Sequence, residues 1–194
     1  MLPGMAHTPD DKLLMVRYRD GEVEAFEVLY ARHKGPLYRY FLRRGLAAES
    51  AAELAQEVWM KIISSKNRYQ PSAKFTTYMY RLAHNCCIDL SRRSAHKIAQ
   101  QTVGDDIDVA RLPATAMADP EAQAIRNQSV AQFRSALADL PDEQREVFIL
   151  KQEAGLSLAD IAYVTGVSTE TAKSRLRYAF GKLRQQLIRN RGKV

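Results

Sequence analysis

Residues 157–180 read SLADIAYVTGVSTETAKSRLRYAF, and this stretch decides the fold. Leu158, Ile161, Ala162 and Val164 recur at helical spacing, giving a short helix with an inward apolar stripe. Gly166 follows, a residue that tolerates a left-handed turn, and Val167 is placed to pack the corner. Ser168 then stands where an N-cap belongs, able to accept from the free N–H groups of a second helix. At about 100° per residue, Ala172, Leu176, Ala179 and Leu183 share the core side of that helix. Thr169, Glu170, Lys173, Ser174 and Arg177 share another face, and Thr171 and Arg175 point away from both. A short helix with a donor-rich outer face at its N-terminal half suits the major groove of DNA. Residues 168–194 carry eight Lys or Arg and one acid, an excess equal to the whole chain's formal charge of +7. A solvated basic surface helix is the alternative; the turn and the sorted faces favour a helix-turn-helix.

The remaining composition narrows the classes. The chain has 194 residues, 46% hydrophobic and 26% charged, which suits one large or two small folded domains. The clustered positive charge favours nucleic acid over a membrane surface. No apolar run approaches the roughly 20 residues that span a bilayer. The start, MLPGMAHTPDD, has neither a basic segment nor an apolar one, so export is not expected. The two cysteines, Cys86 and Cys87, are neighbours and offer no disulfide framework, which suits a reducing cytoplasm.

Along the chain, residues 1–9 read as a loose tail and 10–19 as a helix with Leu13, Leu14 and Val16 available for burial. Asp20-Gly21 punctuates it. Phe26, Leu29, Tyr30, Leu37, Tyr38, Phe41 and Leu42 continue the helical pattern, interrupted near Gly35-Pro36 and ended by Gly45. Residues 50–63, SAAELAQEVWMKII, bury Ala51, Leu54, Ala55, Val58, Trp59 and Ile62. Their other face, Glu53, Gln56, Glu57 and Met60, reads either as solvated surface or as a docking site for a basic partner.

A polar loop, 64–72, carries Lys66, Asn67, Arg68 and Tyr69. A helix over 73–93 interleaves Lys74, Arg81, Arg92 and Arg93 with Phe75, Tyr78 and Tyr80. Such mixtures hold unpaired DNA, although Phe75, Tyr78 and Leu82 also suit a core; Tyr69, His84 and Asn85 suit one less well. Between Ile98 and Glu121 five acids face one Arg, with Gly104, Pro113 and Pro120 among small residues, so 95–125 reads as an acidic linker. Periodicity resumes with Val130, Phe133, Leu137 and Leu140. Pro141 opens a further helix, with Asp142 and Glu143 in its first turn and Val147, Phe148, Ile149 and Leu150 buried; Gly155 ends it. The expected fold is all-α: two small helical domains, 10–94 and 126–194, joined by the flexible acidic linker.

Catalytic and metal chemistry find little support. His84 and Cys87 are three residues apart on one helix, but a structural zinc needs four convergent ligands. No base or oxyanion hole accompanies either cysteine, and no phosphate-loop, dinucleotide or metalloprotease motif occurs. No cofactor and no enzymatic activity are expected. Two binding classes remain: a free-standing regulator acting on an operator, and a promoter-recognition subunit of RNA polymerase.

The N-terminal half separates them. Asp11 to Leu14, Gly21, Ala25-Phe26, Leu29-Tyr30 and Arg32-His33 resemble the opening of bacterial sigma factors of the extracytoplasmic-function group. Leu54-Ala55-Gln56-Glu57-Val58-Trp59 is similar to that family's LxQEVF motif. Phe75 to Asn85, with Asp89 and Arg92-Arg93, is similar to its FxxWLYxIAxN…D…R block. Leu140-Pro141, Arg145, Gly155-Leu156-Ser157, Ile161-Ala162 and Thr171 to Leu176 resemble LP…R…GLS…IA…TVKSRL. The likeness spans about residues 10–188. Ala52, Trp59, Tyr78, Met79, Thr165 and Tyr178 depart from the pattern, and Tyr178 replaces an Arg expected on phosphate.

The resemblance implies a role for each part. Glu53, Gln56, Glu57 and Met60 would dock on core RNA polymerase. Lys66, Asn67, Arg68, Tyr69, Lys74, Arg81, His84 and Asn85 would open and read the −10 element of promoter DNA. Thr169, Glu170, Lys173, Ser174, Arg175 and Arg177 would engage the −35 element, with Lys173, Ser174 and Arg177 at base edges and Arg175 on phosphate. An anti-sigma factor is the implied regulator, and direct membrane insertion is not expected.

Overall fold

The computed structural model describes residues 9–100 and 120–191, and among them every long element is an α-helix and no strand occurs. The order is α1 (Asp11–Arg19), α2 (Val23–Arg43), α3 (Ala48–Ser64), a 3₁₀ turn (Lys66–Arg68), α4 (Phe75–Gln100), α5 (Pro120–Ala138), α6 (Asp142–Gln152), α7 (Leu158–Thr165) and α8 (Thr169–Arg191). No described helix is long and apolar enough to cross a membrane.

The first four helices enclose Leu14, Met15, Leu29, Leu37, Tyr40, Phe41, Val58, Ile62, Phe75 and Met79. Trp59 meets Phe26 edge-on at 5.7 Å, and Phe26 lies 4.7 Å from Tyr18, so three helices share one aromatic cluster. Asp11 ties α1 to α2 by accepting from Arg32 Nη1 at 2.6 Å and His33 Nε2 at 2.7 Å. Leu13, read as available for burial, lies on the outer face and is exposed, because Leu14 and Met15 take the inward positions.

Two boundaries differ from the sequence reading. Helix α2 runs unbroken through Pro36. Proline inside a helix costs about 3 kcal/mol. Burial of Leu29 before it and of Leu37, Tyr40 and Phe41 after it lets tertiary packing carry the helix across. Helix also occupies 95–100 and 120–125, both ends of the segment expected to be linker. Ala, Lys and Gln extend α4 easily, while Pro120 has the fixed φ suited to a first helical position. The tail over 1–8 and the acidic run over 101–119 lie outside the described residues.

The C-terminal helices close around Leu140, Val147, Ile149, Leu150, Leu156, Ile161, Val164, Ala172, Ala179 and Leu183. Ser157 caps α7 through a capping box: its Oγ accepts from Asp160 N–H at 3.1 Å, and the Asp160 carboxylate accepts from the Ser157 N–H at 3.2 Å. Gly166 ends α7 at φ 69°, the left-handed value its place in the turn requires. Ser168 Oγ then accepts from Thr171 N–H at 3.1 Å to start α8. The two helical groups touch: α4 lies against α7, and α2 against α5 and α6.

Candidate DNA and partner interfaces

Three surfaces carry the residues singled out by sequence. On α3, Glu53, Gln56 and Met60 are exposed and Glu57 is half-buried, opposite the buried stripe of Leu54, Val58 and Ile62. Lys61 Nζ lies 2.8 Å from a Glu57 oxygen and donates to Cys86 Sγ at 3.2 Å. The Lys61 hydrogen bond holds the Glu57 carboxyl below its ordinary range. The face therefore offers two carboxylates, an amide and a thioether, with one acid already partnered. Cys86 and Cys87 are both buried, and burial pushes their thiols up, Cys87 to about 12. Unreactive packing thiols fit this better than nucleophiles.

The second surface is divided. Asn67, Arg68, Lys74 and Asn85 face solvent, and the Lys66 ammonium sits 4.8 Å above the Tyr18 ring. Tyr69 is only 5% exposed and packs edge-on against Tyr78 at 5.3 Å, so it shapes the floor of the loop rather than its rim. Burial pushes its hydroxyl up to about 12. Arg81 and His84 point elsewhere. Arg81 Nη1 donates to the Tyr163 carbonyl at 2.5 Å and the Val164 carbonyl at 2.8 Å, in the last turn of α7. His84 Nδ1 donates to Glu146 Oε1 of α6 at 2.8 Å. The eight residues expected to form one surface are thus split between solvent and the C-terminal helices.

The third surface is the N-terminal half of α8. Thr169, Glu170, Lys173 and Arg177 are exposed and Ser174 half-buried, while Ala172 and Ala179 are buried beneath them. Glu170 and Lys173 lie 3.9 Å apart, an exposed pair too weak to hold either side chain. Arg177 extends over the Tyr178 ring at 5.3 Å. Arg175 instead reaches back to Glu143 at 2.5 Å.

Sequence reasoning passed over the most deeply set acid. Glu146 is 5% exposed, in the otherwise apolar run 146–150. Tyr40 Oη donates to its Oε1 at 2.6 Å beside the His84 bond, and Arg44 pairs with its other oxygen. Burial alone would raise this carboxyl; the His84 hydrogen bond, the Arg44 charge and the Tyr40 hydroxyl outweigh it and hold it at about 2. Beside it, Arg145 donates to the carbonyls of Leu137 (3.0 Å), Leu140 (2.8 Å) and Arg44 (2.9 Å). One guanidinium thereby satisfies the open ends of α5 and α2. A Cβ at Gly45, where φ is 95°, would come within 3.2 Å of that guanidinium. The available signal was an acid inside a buried apolar run, which calls for a cation whose position sequence does not reveal.

Comparison with known proteins resolves what kind of chain carries these surfaces. Residues 29–97 match the family model for sigma-70 region 2, and residues 136–185 match that for sigma-70 region 4. The RNA polymerase sigma factor CarQ of Myxococcus xanthus is 32% identical over 174 residues, covering 89% of this chain and 95% of the relative. This chain belongs to the sigma-70 family. The ECF RNA polymerase sigma factor SigM of Mycobacterium tuberculosis (strain H37Rv) is 28% identical across 95% of this chain and 88% of its own length, which fits the extracytoplasmic-function group. The fold is also that of the sigma factor RpoE co-crystallised with the anti-sigma factor NepR from Bartonella quintana. The TM-score there is 0.71 at 21% identity, over 84% of this chain and 96% of that one. In sigma-70 terms, region 2 takes in most of α2 with α3 and α4, and region 4 takes in α6, α7 and most of α8.

Proposed function

We propose that this sigma factor binds core RNA polymerase, reads promoter DNA through regions 2 and 4 and directs transcription initiation, catalysing no reaction of its own. The observation that carries this is the occurrence of both regions in order on one chain. The region 4 helix-turn-helix leaves Lys173 and Arg177 open to solvent. The α3 face of Glu53, Gln56, Glu57 and Met60 docks on polymerase. The loop of Lys66, Asn67 and Arg68, floored by Tyr69, works with Lys74, Arg81, His84 and Asn85 on the −10 element. Opening a base from the duplex costs a few kcal/mol, and the cations of this loop supply phosphate contacts that offset it. Thr169, Glu170, Lys173, Ser174 and Arg177 meet the −35 element in the major groove, and Arg175 reaches phosphate once it leaves Glu143. The domains are 10–94 and 126–194, and the chain works in the cytoplasm, where polymerase is.

An anti-sigma factor is the proposed regulator, by analogy with the RpoE relative seen with NepR. The test is runoff transcription with bacterial core polymerase on a library of promoter fragments. Discrete transcripts that need both polymerase and this chain are expected, and their start sites define the promoter. Sequence-specific duplex binding by the chain alone, with no polymerase binding and no transcripts, would replace this reading with that of a free-standing regulator.

A further inference from the structure

Two residues in the middle of α8 are out of place on a plain basic recognition helix: Tyr178 and Gly181. At about 100° per residue, Arg177 and Tyr178 flank the direction that points straight away from the buried stripe, about 50° to either side. Gly181 lies on that direction one turn later. Tyr178 is 55% exposed, and the Arg177 guanidinium lies over its ring, 5.3 Å from the centroid. The other cations of this stretch have acidic neighbours, Arg175 with Glu143 and Lys173 with Glu170; the neighbour of Arg177 is the ring. Gly181 stands inside a helix, where only proline is less favourable than glycine. A Cβ at that position would meet nothing within 4 Å, so nothing among the described residues calls for a glycine there. A helical position stripped of its side chain suits close approach by the backbone of another molecule. Lys182 and Arg184, just beyond it, are exposed and basic.

We infer that Tyr178 is a positioning residue for DNA: its ring holds the Arg177 guanidinium against a phosphate of the −35 duplex, and Gly181 leaves room for that strand to come close to the helix. The inference rests on the reading of α8 as the −35 helix and changes the part Arg177 plays within it. The resemblance puts Arg177 at a base edge and leaves position 178 without its phosphate contact; the geometry returns that contact through Arg177. In a helix-turn-helix the N-terminal residues of the recognition helix reach the bases, and Arg177 lies about two turns further in. Helix α8 has 23 residues. That is about 35 Å, far longer than the roughly 12 Å width of the major groove, so its middle must pass a DNA strand. Stacking on the ring removes side-chain freedom before DNA arrives, so less is lost on binding. The stacked guanidinium keeps its in-plane N–H groups free to donate to phosphate oxygens. Base reading then falls to Lys173 and Ser174.

The test uses the full chain reconstituted with core polymerase and a labelled promoter duplex found by runoff. Fluorescence anisotropy is read over a salt series and on duplexes bearing single −35 substitutions. Arg177→Ala should weaken binding by about tenfold on every duplex alike and lower the salt slope by about one. Tyr178→Leu should weaken it about two- to fivefold, again on every duplex, and Tyr178→Phe, which keeps the ring, should restore it. Arg177→Ala combined with Tyr178→Leu should bind no more weakly than Arg177→Ala alone. Gly181→Ala should raise the melting temperature, because alanine suits a helix better, and yet weaken DNA binding severalfold. A loss in Arg177→Ala confined to one base pair would overturn the phosphate contact. Additive losses at 177 and 178 would overturn the positioning role, and unchanged affinity in Gly181→Ala would overturn the close approach. If no transcripts form but the chain alone selects a duplex, the sigma assignment fails, and the same variants measured on that duplex still decide the inference.

Discussion

Glu146 is an acid buried among the donors of another part of the chain, and its protonation reports on their meeting. Arg44, His84 and Tyr40 face it directly, and Cys87 lies close enough for its own acidity to feel it. Burial would raise the carboxyl, but His84, Arg44 and Tyr40 together lower it from an ordinary 4.5 to about 2. A carboxyl depressed in the folded chain contributes fully above its unfolded value and loses that contribution as pH falls toward its folded one. The gap corresponds to roughly 3 kcal/mol. Acid titration followed by energy transfer across the junction should therefore show regions 2 and 4 parting between pH 4.5 and about 2, and Glu146→Gln should flatten that transition. Lys173 poses the opposite case, a fully available cation. Its replacement by alanine should weaken −35 binding by about 1–3 kcal/mol if it reads a base edge. Competition against scrambled duplex decides between roles: equal loss on both DNAs would assign Lys173 to phosphate.

At the scale of helices, the capping chemistry around α7 sets how rigidly the recognition helix is presented. Ser157→Ala removes the capping-box oxygen and should cost about 1 kcal/mol. Gly166→Ala forces a side chain into the left-handed region at φ 69° and should cost about 1–2 kcal/mol, the methyl itself making only ordinary contact with Arg81 Nη1 at 3.6 Å. Urea denaturation of both variants measures these losses, and a neutral Gly166→Ala would mean that the turn relaxes. These features were legible in sequence because they are local: Gly166, Ser168 and the stripe of Ala172, Ala179 and Leu183 each follow from spacing within one or two turns. Pro36 was misread for the same reason. Its local cost argues for a break, and only the packing of Leu37, Tyr40 and Phe41 on other helices overrules it. The near end of α5 was hidden similarly, since a proline among small residues serves a loop as readily as a first helical turn.

At the scale of the whole molecule, the information that sequence could not carry is the pairing of residues some 60–106 positions apart, as in His84 with Glu146 and Tyr40 with Glu146. A basic residue beside aromatics on α4 reads as a DNA contact, and nothing local shows that a carbonyl of α7 already holds Arg81. The junction has a thermodynamic consequence. Two small helical units that merely shared a chain would melt independently, each at its own temperature. Units coupled through a buried carboxylate and a guanidinium that caps helices on both sides should melt together, because opening either one exposes Glu146 and leaves Arg44 without its partner. Scanning calorimetry at neutral pH and low salt should accordingly give one transition for the wild type, with calorimetric and van't Hoff enthalpies in agreement. Glu146→Ala should split it into two, region 2 and region 4 unfolding separately as units of lower cooperativity. Two transitions in the wild type would show that the regions are uncoupled before any variant is made, whereas a single transition retained in Glu146→Ala would move the coupling from the ion cluster to the contacts of α4 with α7, such as Arg81 on the Tyr163 and Val164 carbonyls.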